Sequence, residues 1–475
     1  MAAMDATDDT SSPINALDAA AALWREAGLP PAALAHLQLP GREPVLPSSF
    51  ALATALQASL GAAALAAAEI GLARGGPRQQ VSVGAEAVAA EASAHFSVDG
   101  RVPAVWDKLS GLYRAADGWL RLHANFAHHR DGALRLLGLP PGDATERVAV
   151  ADALGRWRTL DFEQAAADAG LVVAAARRLD EWDAHPQAAA VAAQSLLSLQ
   201  RLDGGPPQPW APLPAGAPPL QGLRVLDLTR ILAGPTAGRV LAAYGADVML
   251  VNSPQLPNIE SIADTSRGKL SAHVDLKTMA GREQLRALLR DADVFLHAYR
   301  PGALAALGFD RFELQRLNPG LVDVALSAYG DSGPWAGRRG FDSLVQTATG
   351  FNLAEAEAFG SAEPRAFPLQ VLDYSGGFLL AFAVQAALLR RAQEGGFWQA
   401  RLTLARTALW LRSLGRLQDF QAVAKPSLEP HLETLDSGFG RLCAVRHAAR
   451  FSHTPLAFAR PSMPPGTHAP VWPPR

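Results

Sequence analysis

From residue 223 onward, short apolar runs alternate with amphipathic stretches, and this alternation limits the fold more than any other feature of the chain. LRVLDL (223–228) reads as a buried strand, PTAGRVLAAYG (235–245) as a helix closed by Gly245, and DVMLVN (247–252) as a second strand. A helix over 280–292, a strand over 294–299, a helix over 312–318 and a strand over 321–330 continue the order. Strands joined by helices must run parallel, so an α/β fold is expected, with ligands received at the carboxyl ends of the strands.

The 475 residues, 49% hydrophobic and 19% charged, suffice for about two or three buried cores. A formal net charge of -2 gives no electrostatic ground for a nucleic-acid or membrane partner. Cys443 is the single cysteine, which excludes an intrachain disulfide framework and a cysteine-built metal site and fits a reducing compartment. The acidic opening MAAMDATDDTSS lacks the basic-then-apolar profile of a signal peptide, so a cytoplasmic location is expected. Residues 51–73 are long enough to span a bilayer. They are mostly alanine with Thr54, Gln57 and Ser59 interspersed, and read as a buried helix.

Breaks in composition divide the chain. Residues 1–45 read as a helical arm, and 46–203 as a helix-and-strand segment with a small α+β domain, including a strand within 117–126 and the helix AHHRDGALRLLGL. GGPPQPWAPLPAGAPPLQG, within the 204–222 linker, is too rich in Pro and Gly for a helix or inner strand. Residues 223–415 carry the α/β pattern, and 416–475 form a C-terminal segment ending in the Pro-rich RPSMPPGTHAPVWPPR. A faint repeat links the halves. The helix 54–73, a turn, the strand VSV and an alanine-rich helix recur in order as the helix 374–392, a turn, ARLTL and ARTALWL. Asp373 then falls opposite Ala53 or Thr54, neither of which ionises.

Most chemical signatures are missing or weak. LTRILAGPTAG (228–238) lies where a dinucleotide fold puts its glycine loop, but it is not GxGxxG, and Asn252 stands where a ribose-binding acid would be needed. HANFAHH offers His123, His128 and His129 at a spacing that does not share one helix face, so no metal is expected. FPLQVLDYSGGFLLAFAVQ (367–385) sets the single acid Asp373 before a long helix. An aspartate there is a common N-cap, yet Ser375, Gly376 and Gly377 have little bulk and would let a ligand approach the helix amides.

Residues 220–415 resemble the class III CoA-transferases, the CaiB/BaiF family. The resemblance rests on GLRVLDLTRILAGPTAGRVLAAYGADVMLV, SRGKLSAHVDLKTMAGREQL, DADVFLHAYRPGALAALGF, LNPGLVDVALSAYGDSGPWAGRRGFDSLVQTATG and the Asp373 stretch, in the family's order. It implies a Rossmann-like parallel-sheet CoA-binding domain plus a smaller α+β domain, and CoA carried from an acyl-CoA donor to a carboxylic acid acceptor. Asp373 takes the place of the family's nucleophile, passing through an aspartyl anhydride and an aspartyl-CoA thioester without metal or permanently bound cofactor. Lys277 and Arg339 stand at family positions that offer charge to CoA phosphates; Leu232, Ala233, Ala298, Tyr299 and Leu307 stand at positions against the nucleotide. Ala298, Ala306 and Asn252 replace an asparagine, an arginine and a glutamate frequent in the family. The front half resembles a truncated copy without a nucleophile. A homodimer acting on acyl-CoA and small carboxylic acids is expected. The alternatives are a 2-methylacyl-CoA racemase-like enzyme, which lacks its histidine because Phe341 occupies that place, and a non-catalytic CoA-binding paralogue.

Overall fold

The computed structural model describes residues 13–474; the acidic opening through Ser12, and Arg475, lie outside the described residues. Its centre is a seven-stranded sheet in the spatial order Leu270–His273, Asp247–Asn252, Arg224–Leu228, Val294–His297, Val322–Ser327, Trp398–Thr403, Ser198–Arg201. The first six strands run parallel, and the seventh pairs antiparallel with Trp398 opposite Arg201. Numbered along the chain, the six parallel strands lie 3-2-1-4-5-6, the doubly wound order, with the direction of winding reversing between Arg224–Leu228 and Val294–His297. Crevices open at such reversals because the flanking connections depart to opposite faces.

Both faces of the sheet are covered, as the continuous apolar strands require. Val294, Leu296, Val322 and Val324 face the larger core; Phe295, Leu226 and Met249 face a second cluster under the Met279–Arg290 helix. Two long apolar helices occupy the larger core. Leu52–Ala73 and Val371–Glu394 pack against each other, and both could span a membrane by length and composition, but here they are interior. The expected buried helix at 51–73 is thus found, and each apolar surface covers the other.

The front half is woven into the back. It supplies the antiparallel edge strand Ser198–Arg201, and Phe96–Val98 and Val81–Val83 pair with the C-terminal strands Gly440–Val445 and Ala449–Phe451. Residues 204–222 form neither helix nor strand, but they are stitched down. Arg74 donates from Nε to Ala211 O at 3.1 Å and from Nη1 to Pro219 O and Gln221 O at 3.0 and 2.9 Å. Gly245, at φ +98, closes the Ala233–Ala243 helix against this segment; a Cβ there would lie 2.4 Å from Pro218. A separate α+β unit has its own apolar cluster. In it the antiparallel strands Gly111–Arg114, Trp119–Leu122 and Val173–Ala175 carry the helices Ala127–Leu136, Arg147–Leu154 and Thr159–Asp168.

Candidate active site

A cavity of about 420 Å³ opens at the carboxyl ends of the parallel strands, beside the reversal of strand order. Its wall takes residues 228–235 from the first connection, 298–301 from the connection after Val294–His297, and 337–341 from the turn after Val322–Ser327. The first connection is braced by a fully buried ion pair. Lys269 Nζ lies 2.9 Å from Asp227 Oδ2 and donates to Pro235 O at 2.8 Å, while Asp227 Oδ1 accepts from Thr229 N–H and its hydroxyl at 3.0 and 2.5 Å. Buried charges persist only when paired and hydrogen-bonded in this way.

Of the residues expected around CoA, Leu232, Ala233, Ala298, Tyr299 and Arg339 line this cavity together with Asp373. Lys277 and Leu307 do not. Lys277 is exposed on the turn before Met279–Arg290, and Leu307 ends the short turn Ala305–Leu307 and packs on the second apolar cluster. Sequence reasoning passed over Arg230, Arg300 and Arg338, which also line the cavity. The signal was present, since all three stand inside the motif blocks LTRILAG, HAYRPG and GRRGFD. Asp373 is the one carboxylate among the described lining residues.

Asp373 is not the cap of its helix. The helix begins at Val371, so Asp373 is its third residue. The cap is supplied from elsewhere: Asp342, the first residue of the Asp342–Ala348 helix, accepts Asp373 N–H at 2.9 Å and also the N–H of Leu372. This corrects the local reading, which saw an acid before a helix but not a second acid thirty-one positions earlier already occupying the amides. Asp373 is 8% exposed. Burial, then the Asp342 charge, raises its carboxyl well above the ordinary aspartate range. Burial also pushes Asp342 up to about 6, against the hydrogen bonds it accepts.

The glycines after Asp373 lie close to neighbouring helices. A Cβ on Gly377 would lie 2.6 Å from Ala233 O and 2.9 Å from Thr236 Cβ, and one on Gly376 would touch Leu404. Gly377 therefore admits the neighbouring Ala233–Ala243 helix, and Gly376 lies against the helix that begins at Leu404.

The front half has a similar helix start, with a threonine at the position that Asp373 takes in the back half. Thr54, third residue of Leu52–Ala73, has its N–H bonded to Glu43 Oε1 at 2.8 Å, as Asp373 N–H is bonded to Asp342. Both helix starts have an acid accepting the N–H of the third residue, and only the back one has an acid at that third position. The front α+β unit reaches the cavity through His128 and His129. His123 stacks on Phe341 with ring centroids 4.2 Å apart. Burial, then the Arg121 charge, pushes His123 down to about 4, and burial, then His128 and Arg339, pushes His129 down to about 3. Among the described residues, no group of three His, Cys, Asp or Glu side chains comes together to hold a metal ion.

Residues 220–434 match the model of CoA-transferase family III. The resemblance carried by the motif blocks and the family match thus coincide over the α/β region. Among similar curated proteins is an acetyl-coenzyme A transferase of Hypoxylon pulicicidum, 36% identical over 44% of this chain and 37% of its own length. A probable fatty acyl-CoA transferase of Mycobacterium tuberculosis is 39% identical, over 38% of this chain and 48% of its own. The succinate–glutarate CoA-transferase of Agrobacterium fabrum is 37% identical, over 38% of this chain and 50% of its own. The chain spans half or less of the length of each of these relatives.

Proposed function

We propose that the protein is an acyl-CoA:carboxylate CoA-transferase with Asp373 as its nucleophile. The observation that carries this reading is the position of Asp373: it stands in the wall of a cavity otherwise rich in arginine, at the strand ends of a family III segment. Four guanidinium groups, of Arg230, Arg300, Arg338 and Arg339, suit the phosphates of CoA, and a lone carboxylate among them suits acyl capture.

The chemistry asks for one carboxylate. Ionised Asp373 attacks the thioester carbonyl carbon, the C–S bond breaks, and CoA leaves as thiolate from a mixed anhydride. The thiolate attacks the aspartyl carbonyl of that anhydride, releasing the donor acid and leaving an aspartyl-CoA thioester. The acceptor carboxylate then displaces CoA from Asp373, and the thiolate attacks the acceptor's own carbonyl, restoring Asp373. One thioester is exchanged for another, so no ATP is consumed. The raised pKa of Asp373 favours this role, because a more basic carboxylate is the stronger nucleophile once ionised. Burial of the site limits hydrolysis of the anhydride by water.

The test is an exchange assay in the absence of ATP. A panel of acyl-CoAs is incubated with isotopically labelled carboxylic acids, and labelled acyl-CoA is measured by mass spectrometry. The reading expects labelled thioester from the wild type and none above background from Asp373→Asn. Labelled product formed equally well by Asp373→Asn would overturn it.

A further inference from the structure

We infer that His129 is a positioning residue for Arg339: contributed by the front half, it holds the guanidinium in the cavity wall by an uncharged hydrogen bond, so that Arg339 meets a phosphate of CoA with its positive charge intact. The identity of the ligand rests on the transferase reading above; the device itself rests on the geometry.

Arg339 Nη1 lies 3.1 Å from His129 Nε2 and 2.9 Å from Gly170 O, and both partners belong to the front α+β unit. Among the described residues Arg339 has no ion-pair partner, although Arg230, Arg300 and Arg338 share its cavity. Repulsion among these charges favours swinging a long side chain out to solvent, and a carboxylate anchor would hold Arg339 only by cancelling its charge. A neutral imidazole nitrogen and a peptide oxygen restrain the guanidinium without cancelling it.

The surroundings of His129 suit a neutral acceptor. The side chain is buried, with the Phe126 ring edge-on at 5.6 Å and the His128 ring 4.1 Å away. Acceptance at Nε2 places the proton on Nδ1. Burial disfavours the charged form, so the ring stays neutral at physiological pH and does not repel Arg339. The same turn is clamped by the front half on either side: Arg338 Nη2 donates to Glu163 O at 3.4 Å, and His123 stacks on Phe341. Of these contacts, His129 alone is a side chain that sets the direction of a cavity cation by a neutral hydrogen bond.

The experiment measures CoA affinity of the full chain by isothermal titration calorimetry for the wild type, His129→Ala, His129→Gln, His129→Glu, Arg339→Ala and the double variant His129→Ala/Arg339→Ala. Circular dichroism checks that each variant is folded. We expect His129→Ala to bind CoA about tenfold more weakly and His129→Gln, which keeps a neutral acceptor, to stay within about threefold of wild type. His129→Glu should bind more weakly still, since its charge competes with the phosphate. In the Arg339→Ala background the His129→Ala change should have no further effect. The proposal is overturned if His129→Ala binds within about twofold of wild type, if its effect persists undiminished without Arg339, or if His129→Glu binds as well as His129→Gln. A wild type that does not bind CoA overturns the transferase reading and this proposal with it; failure of the variants alone leaves the transferase reading standing.

Discussion

Two buried carboxyl groups, Asp342 and Asp373, meet at the start of one helix, and their roles divide by what they touch. Asp342 spends its oxygens on helix amides and Gln346, whereas Asp373 makes no cap and stands in the cavity wall. Each raises the cost of ionising the other. Because the folded-state pKa of Asp373 lies above its ordinary value, the folded protein binds more protons than the unfolded chain as pH rises past 3.8, and this group's contribution makes stability fall with rising pH. Asp373→Asn should therefore raise the urea midpoint at pH 8 more than at pH 5, while transfer activity falls by about 10⁴-fold or more. Asp342→Asn removes the neighbouring charge and should move the acid limb of the pH–rate profile down by about one unit. An unshifted limb would show that the two carboxyls do not interact. The acid at 373 was legible in the sequence because its neighbours formed family blocks. Its partner was not, since a cap supplied by a residue distant in sequence leaves no local spacing to read.

At the scale of elements, the site depends on the close approach of three helices. Val371–Glu394 lies against both Leu52–Ala73 and Ala233–Ala243, and Gly377 is where the last of these comes nearest. Gly377→Ala should cost about 1–3 kcal/mol in urea denaturation, as overpacking does, and shift the connection that carries Leu232 and Ala233. Wild-type stability in this variant would mean that the helix contact is looser than its geometry indicates. The strands and helices read from the sequence between 223 and 413 lie within a few residues of those observed, because each is apolar on the face it buries. The edge strand Leu270–His273 and the short helices Ile262–Thr265, Asp342–Ala348 and Phe351–Ala358 were not read from it. The small sheets were less legible. The strand VSV expected from the sequence is found as Val81–Val83, but its partners Leu37–Gln38 and Ala449–Phe451 are supplied by other parts of the chain and were not legible. Of the cavity wall, Leu232, Ala233, Ala298, Tyr299, Arg339 and Asp373 were legible through the motif blocks, whereas Arg230, Arg300 and Arg338 in the same blocks were not. Lys277 and Leu307 share the motif blocks but do not line the cavity.

At the scale of the whole molecule, the front and back are joined by a buried charge network as well as by strands. Glu91 of the front half lies 3.0 Å from Arg239 and 3.1 Å from His447, and Arg239 and Arg267 share Asp264. Burial alone would raise Glu91, but the His447 contacts and Arg239 outweigh it and hold the carboxyl down at about 2. Its stabilisation is thus complete above the ordinary value of 4.5 and is lost as pH falls toward 2. Glu91→Gln should cost about 3–5 kcal/mol at neutral pH, read from the urea midpoint, and flatten the acid side of the stability profile. The front half also contributes His128 and His129 to the cavity and carries Thr54 where the back half has Asp373, so the proposed chemistry has one candidate carboxylate among the described lining residues. The most direct measurement is to incubate the protein with a panel of acyl-CoAs, trap with hydroxylamine or borohydride, and locate the modification by peptide mass analysis. The account predicts modification confined to Asp373, at no more than one per chain. Modification at another residue, or none with any donor while CoA still binds, would contradict it.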